Sequence, residues 1–168
     1  MIGSRPGDWT TKEMDMLGRE NAIGHPALTD RNTGIANLLH FDLVFRYLFH
    51  GTDRGASLTV MLISTPAQDP ETLRALGDAI KRTTRGADLV AHLGEGRFAL
   101  VLLGSNLAGG RLAVDRVESA LKEVATGPLN IGLATYHPQM KDPTELLQRA
   151  REALQKAEEA GGGLEMWP

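Results

Sequence analysis

The fold of this chain is decided by the stretch Asp88–Leu103, which reads DLVAHLGEGRFALVLL. Two apolar runs, Leu89–Leu93 and Phe98–Leu103, flank a short segment that contains two glycines. This pattern is typical of a β-hairpin whose tight turn depends on glycine. The tip of such a hairpin is exposed and held by a rigid scaffold, so functional residues are often found there. Gly94–Phe98 is therefore the first candidate for a functional site.

The composition predicts a single soluble globular domain. The chain has 168 residues, of which 42% are hydrophobic and 23% charged, and its formal net charge is −3. The two signs of charge are interspersed without a basic run, which argues against nucleic-acid or membrane binding. The absence of cysteine excludes disulfides, thiolate catalysis and cysteine-based zinc sites, and it fits a reducing compartment. With no signal-peptide core and no bilayer-length apolar run, we expect a cytoplasmic protein.

The chain divides into a short N-terminal region and one folded domain. Residues 1–27 are expected to hold a flexible start and a linker helix over Trp9–Asn21, capped by Asp8. The apolar stripe of this helix is thin, which suits a linker or a partner helix better than a core helix. We expect the folded domain to occupy residues 28–168.

Within the domain, helical and strand patterns alternate. The Leu38–Phe49 helix is apolar on most of its circumference, which predicts burial on more than one side, with Gly51 just beyond its end. The hairpin is preceded by a strand and a helix and is followed by the loop 104–110, a helix, a strand, a helix and an edge strand. The predicted ranges are Leu58–Ser64, Pro70–Thr84, Ala113–Val124, Leu129–Tyr136, a helix starting at Asp142–Glu145, and Leu164–Trp167. This order predicts an α/β (α+β) fold with a mixed central sheet of about five strands and helices on both faces.

Five motifs in this order resemble those of the GGDEF domain, a bacterial signalling family whose active members are diguanylate cyclases. These enzymes condense two GTP molecules into cyclic di-GMP. The resemblance runs from about Leu28 to the C-terminus. The matching stretches are Asp30–Asn37 (D-x-L-T-G-L-x-N in the family), the strand Leu58–Ser64, Arg85–Phe98 (R-x-x-D-x-x-x-R-x-G-G-D-E-F), Asn130–Ala134 (S-I-G-V-A) and Ala150–Gly161 (A-D-x-A-L-Y-x-A-K-x-x-G).

The same resemblance implies that the catalytic residues are lost. The family holds two divalent ions with an aspartate at the end of the first strand and an acidic residue third in the signature, and these ions neutralise the GTP phosphates. Ser64 and Gly96 stand at those positions, and Arg97 puts a cation where the fourth signature residue is usually acidic. Glu158 replaces a phosphate-binding lysine. The guanine-reading segment is missing because Thr65–Pro70 passes almost directly into the next helix. We therefore expect no catalytic residues, no metal and no cofactor.

Glu95, within the signature, and His92, just before it, indicate no specific function. Glu95 could be proposed as a displaced metal ligand, but one carboxylate makes a weak site, and a solvated turn residue is the simpler interpretation. His92 stands where an arginine is usual before the signature, and its sequence context assigns it no role.

Arg85 and Asp88 retain the family's R-x-x-D motif, which resembles an inhibitory site that binds a cyclic di-GMP dimer. A guanidinium can fork onto phosphate or the guanine edge, and a carboxylate can accept hydrogen bonds from guanine N1–H and N2–H. Lys81 and Arg82 add positive charge nearby. The alternative is structural: the motif would end a helix, and Arg85 would cap its last carbonyls.

Three functional hypotheses follow. The first is a catalytically inactive GGDEF-like signalling domain that responds to cyclic di-GMP through Arg85 and Asp88 and regulates a partner. The second is a ligand-independent module of the same fold for protein–protein interaction or homodimerisation, with the 9–21 helix and the exposed parts of the 38–49 helix as contact surfaces. The third, an enzyme with altered nucleotide chemistry, lacks a visible carboxylate pair.

Overall fold

The predicted hairpin is present in the computed structural model, which describes residues 25–167. Strands β2 (Leu89–Gly94) and β3 (Arg97–Leu103) pair antiparallel. Glu95 and Gly96 form the two-residue turn with φ values of 53° and 70°. Two positive φ angles are the pattern of a type I′ turn, whose twist matches that of the flanking strands. The linker helix predicted over 9–21 lies outside the described residues.

The hairpin is one side of a five-stranded mixed sheet, which confirms the predicted fold class. The remaining strands are β1 (Leu58–Ser64), β4 (Asn130–Thr135) and β5 (Gly163–Met166). The spatial order is β2-β3-β1-β4-β5. The central strand β1 is antiparallel to both β3 and β4, whereas β4 and β5 are parallel. All seven residues of β1 are buried, as its apolar sequence predicts.

Four helices cover the two faces of the sheet. They are α1 (Leu38–Gly51, followed by a 3-10 turn at Thr52–Arg54), α2 (Pro70–Thr83), α3 (Leu107–Lys122) and α4 (Pro143–Glu159). Side chains of Asn37, Asp69, Asn106 and Asp142 cap their N-termini. Helices α2 and α3 pack on one face of the sheet, and α1 and α4 pack on the other. No helix of the described residues is long and apolar enough to cross a membrane.

Helix α1 corrects one expectation drawn from the sequence. It is buried on one side only, through Phe41, Phe45 and Phe49. Leu39, Leu43 and Tyr47, on the opposite side, are 51%, 55% and 80% exposed. The sequence gives the helix's apolar content, but only the packing shows which apolar side chains have a neighbour. Gly51 is also the last residue of α1 and does not lie beyond it.

Helix α3 begins earlier than the glycines suggest. The predicted loop 104–110 ends at Asn106, whose side chain caps the helix by accepting from the Gly109 backbone N–H at 3.0 Å. A Cβ on Gly110 would lie 2.9 Å from a methyl of Thr59 on β1. This glycine is therefore explained by close helix–sheet packing, although glycine is otherwise unfavourable within a helix.

Candidate functional site

The first part of the site lies at the edge of the sheet where β1 ends. Ser64 Oγ donates a hydrogen bond of 2.7 Å to Glu158 Oε1 at the end of α4. The same hydroxyl accepts from Asn130 Nδ2 at 3.1 Å, at the start of β4. Two of the positions singled out in the sequence, 64 and 158, therefore meet directly. The carboxylate at this edge comes from the helix and not from the strand.

The hairpin turn beside this edge leaves no room for a side chain at Gly96. The backbone N–H of Thr65 donates to Gly96 O at 2.9 Å, so the β1–α2 loop is bonded to the turn. A Cβ on Gly96 would lie 2.5 Å from Thr65 O and 2.7 Å from Ala67 O, closer than van der Waals contact allows. Gly96 also has a φ of 70°, which disfavours other residues. Backbone thus fills the space that an acidic side chain at this position would need.

The two charged side chains of the signature are exposed, whereas Phe98 is buried in the core. Glu95 and Arg97 are exposed, which agrees with Glu95 as a solvated turn residue. Among the described residues, no group of three or more histidine or carboxylate side chains is arranged to hold a metal ion.

The second part of the site is the turn Arg85–Asp88, between α2 and β2. The Arg85 backbone N–H donates to Asp88 Oδ2 at 3.0 Å, and Arg85 Nε lies 3.6 Å from the same oxygen. The Asp88 side chain is 1% exposed. Its other oxygen, Oδ1, is buried and has no hydrogen-bond partner in the described part of the chain. A buried carboxylate oxygen without a partner is costly, so this atom calls for an explanation.

Two pockets open beside this turn, and Arg85 lines both. The first, about 290 Å³, contains Asp88 and is bounded by residues of α1, α2 and β2. The second, about 410 Å³, lies towards the start of α3, where Arg85 Nη2 donates to Ser105 Oγ at 2.9 Å. Residues that the sequence did not connect with the motif also line the two pockets. They include Ile35, His40, Leu89 and Val90 in the first, and Thr83, Ser105, Asn106 and Arg116 in the second.

The sequence assigned no role to His92, but the structure gives this residue a contact with the lead-in segment, which we define as residues 28–37. His92 Nδ1 lies 3.1 Å from Asp30 Oδ2, off the direction of a straight hydrogen bond, and the imidazole is 1% exposed. Partial burial alone would raise the pKa of Asp30. Two hydrogen bonds from Thr33, together with the nearby imidazole of His92, outweigh the effect of burial and lower the pKa of Asp30. This cluster links the lead-in segment to β2.

Comparisons with known proteins agree with this fold. The family model described as "Diguanylate cyclase, GGDEF domain" matches residues 70–163, more than half of the chain, and the chain therefore belongs to the GGDEF family. The probable diguanylate cyclase DgcC of Escherichia coli K12 is 28% identical over 151 residues, covering 79% of this chain and 41% of the relative. The chain thus spans about two fifths of the length of this curated relative.

Solved structures share the fold at low identity. The GGDEF domain of DgcB from Caulobacter crescentus, crystallised with c-di-GMP, superposes with a TM-score of 0.74 at 15% identity, covering 85% of this chain and 96% of that chain. The diguanylate cyclase SiaD from Pseudomonas aeruginosa, crystallised with its activator SiaC, gives 0.77 at 18% identity, covering 89% of this chain and 64% of that chain.

Proposed function

We propose that this GGDEF domain does not synthesise cyclic di-GMP but binds it through Arg85 and Asp88, as a regulatory module of cyclic di-GMP signalling. One observation carries the proposal: Asp88 and Arg85 line the same pocket, and the buried carboxylate oxygen Oδ1 of Asp88 has no hydrogen-bond partner among the described residues. A guanine supplies the N1–H and N2–H donors that such an oxygen lacks. Bound ligand would thereby remove the cost of the unpaired acceptor.

The surroundings of Asp88 have the chemistry that a guanine nucleotide requires. Ile35, Leu89 and Val90 provide apolar surface for the face of a purine. Lys81 on the first pocket and Arg116 on the second provide positive charge on either side of Arg85 for phosphate groups. The c-di-GMP complex of the DgcB domain, which has the same fold, makes this ligand the first to test.

The sheet edge supports the non-catalytic part of the proposal. A metal-dependent cyclase needs carboxylates facing the GTP phosphates, and positions 64 and 96 hold serine and glycine. The backbone of Thr65 and Ala67 blocks a side chain at position 96, so the difference goes beyond residue identity. Glu158 is engaged with Ser64 and places negative charge where phosphates would approach.

Isothermal titration calorimetry with cyclic di-GMP tests the ligand. We expect Arg85→Ala to weaken binding by about tenfold or more, because a charge-assisted contact contributes roughly 1.5–3 kcal/mol. Asp88→Asn should also weaken binding, since it replaces half of the acceptor with a donor. Arg82→Ala is the matched control: it removes a neighbouring arginine that lines neither pocket, and binding should be unchanged.

Two results would contradict the proposal. Absence of binding by the wild-type chain removes cyclic di-GMP as the ligand, and binding that survives Arg85→Ala removes the assigned site. Incubation with GTP and Mg²⁺ tests the remaining part, because formation of cyclic di-GMP would overturn the non-catalytic assignment.

A second candidate function rests on the free side of α1. Leu39, Leu43 and Tyr47 recur every fourth residue and are all more than half exposed, so they form an apolar stripe on one side of the helix. Such a stripe suits a ligand-independent module for protein–protein interaction or homodimerisation.

A further inference from the structure

The pocket that contains Asp88 is also lined by the first turn of α1 and by the residues just before it. Ile35 and Ala36, which precede the helix, line it, as does His40 in the first turn of α1. The rest of the lining comes from the end of α2, the Arg85–Asp88 turn and the start of β2. A ligand held by Asp88 therefore lies between the R-x-x-D turn and α1.

His40 is available to such a ligand. Its residue is half-buried on the pocket wall, and within the described residues its imidazole makes no hydrogen bond or ion pair. Its backbone N–H donates to the Asn37 side chain at 3.0 Å, which fixes the backbone at the start of α1 and does not involve the imidazole. An imidazole can donate to phosphate or ribose oxygens and can also accept.

The wall formed by α1 is continuous with the lead-in segment. Ala36 forms a bridge with Ala91 of β2, and its carbonyl accepts from the His92 backbone N–H at 2.9 Å. Asp30, in the same segment, contacts the His92 ring. Ile35 of the same segment is buried in the core, and a ligand that bridges Asp88 and α1 would add a further contact.

We propose that His40 is a ligand contact that couples occupancy of the Arg85–Asp88 pocket to the position of residues 28–37. The inference rests on the proposed function and extends it, because it assigns a route by which the bound ligand affects the segment that leads into the domain. Coupling of this kind is reciprocal: ligand stabilises the segment, and loosening the segment weakens ligand binding.

Calorimetry with cyclic di-GMP on three histidine variants tests the contact. We expect His40→Ala to weaken binding by about fivefold or more, the loss that corresponds to one hydrogen bond of roughly 1 kcal/mol. His40→Gln keeps a side-chain donor and should lose less. His50→Ala is the matched control, since this histidine is on the same helix but outside the pocket. Thermal unfolding of each variant shows whether the fold is retained, and His40→Gln carries the test if His40→Ala does not fold.

Amide hydrogen exchange tests the coupling. Saturating cyclic di-GMP should slow exchange in residues 28–37 of the wild-type chain, and the slowing should be smaller in the His40 variants at equal saturation. His92→Gln, which lies outside the pocket, should weaken ligand binding through the segment.

The outcomes separate this inference from the function on which it rests. If the wild-type chain does not bind cyclic di-GMP, both fall. Suppose instead that the wild-type chain binds, that Arg85→Ala weakens binding and that both His40 variants bind like wild type. The proposed contact of His40 with the ligand is then wrong, and the proposed function stands. Binding that depends on His40 without slower exchange in residues 28–37 overturns the coupling.

Discussion

At the residue scale, Asp30 shows how a single carboxylate ties the lead-in segment to the domain. Its Oδ2 accepts from the Thr33 backbone N–H at 2.9 Å and from Thr33 Oγ1 at 2.7 Å, and it faces His92. These contacts favour the ionised form over burial, so the pKa of Asp30 in the folded chain is lower than in the unfolded chain. A lowered pKa means that ionised Asp30 stabilises the fold above its unfolded pKa and loses that effect as pH falls through the folded pKa.

We therefore expect Asp30→Asn to destabilise the fold by about 1–2 kcal/mol at pH 7, as for a hydrogen bond to a charged group. The difference from wild type should begin to shrink below about pH 4, where Asp30 of the unfolded chain takes up its proton, and should be lost as pH falls through the lower pKa of the folded chain. Urea unfolding from pH 3 to 7 measures this. Asp53→Asn, at an exposed carboxylate, is the control and should show no comparable pH-dependent difference. A constant difference between Asp30→Asn and wild type over the whole range would contradict the role of the charge.

At the element scale, the β2–β3 hairpin and the β1–α2 loop hold each other in place. Gly96 and Gly55 both have positive φ, 70° and 86°, but a Cβ would meet backbone at Gly96 and nothing within 4 Å at Gly55. Gly55→Ala should cost about 1 kcal/mol, from the backbone conformation alone. Gly96→Ala should cost about 3 kcal/mol or more, because the steric conflict adds to the conformational cost.

Chemical denaturation of the two variants measures the difference between them. Equal losses would show that the loop yields easily, and an acidic side chain at position 96 would then be tolerated. That result would weaken the steric part of the non-catalytic assignment. Neither alanine variant touches Arg85 or Asp88, so both can also be titrated with cyclic di-GMP.

The sequence predicted helices and strands correctly where neighbouring residues along the chain determine them. The hairpin followed from two apolar runs around Gly94–Gly96, and the starts of α2 and α4 followed from Asp-Pro caps. The start of α3 was missed because Gly109 and Gly110 suggested a loop. The reason for Gly110, its approach to Thr59 on β1, depends on a residue 51 positions earlier in the chain.

At the scale of the whole molecule, the sequence identified Arg85 and Asp88 but not the pockets around them. The motif is four residues long, whereas His40 and Arg116 come from helices far away in the chain. The pairing of Ser64 with Glu158 likewise joins residues 94 positions apart. Periodicity and residue spacing predict the type of one helix or strand and its apolar face. Contacts between distant residues depend instead on how the helices and strands pack against each other, which these patterns do not show. Family resemblance supplied the positions of 64 and 158, and only the fold shows that they touch.

The apolar stripe of α1 gives a prediction for the molecule as a whole. If the domain is a homodimerisation module, sedimentation velocity of the wild-type chain should show a species that grows with concentration. Leu43→Glu, at the centre of the stripe, should shift it to monomer while changing the free energy of unfolding by less than about 0.5 kcal/mol, since Leu43 is 55% exposed.

Leu107→Glu is the control for Leu43→Glu, because Leu107 is a 40% exposed leucine at the start of α3, on the other face of the sheet, and lies outside both pockets that Arg85 lines. Its substitution should leave association unchanged. A wild-type chain that stays monomeric at all concentrations would remove homodimerisation through this stripe. If both variants lose association, the association is due to exposed apolar surface in general and not to the stripe on α1. Addition of cyclic di-GMP to the same samples then separates the two functions: association that depends on Leu43 but not on ligand favours the interaction module, whereas a change in sedimentation that requires Arg85 favours the ligand-responsive one.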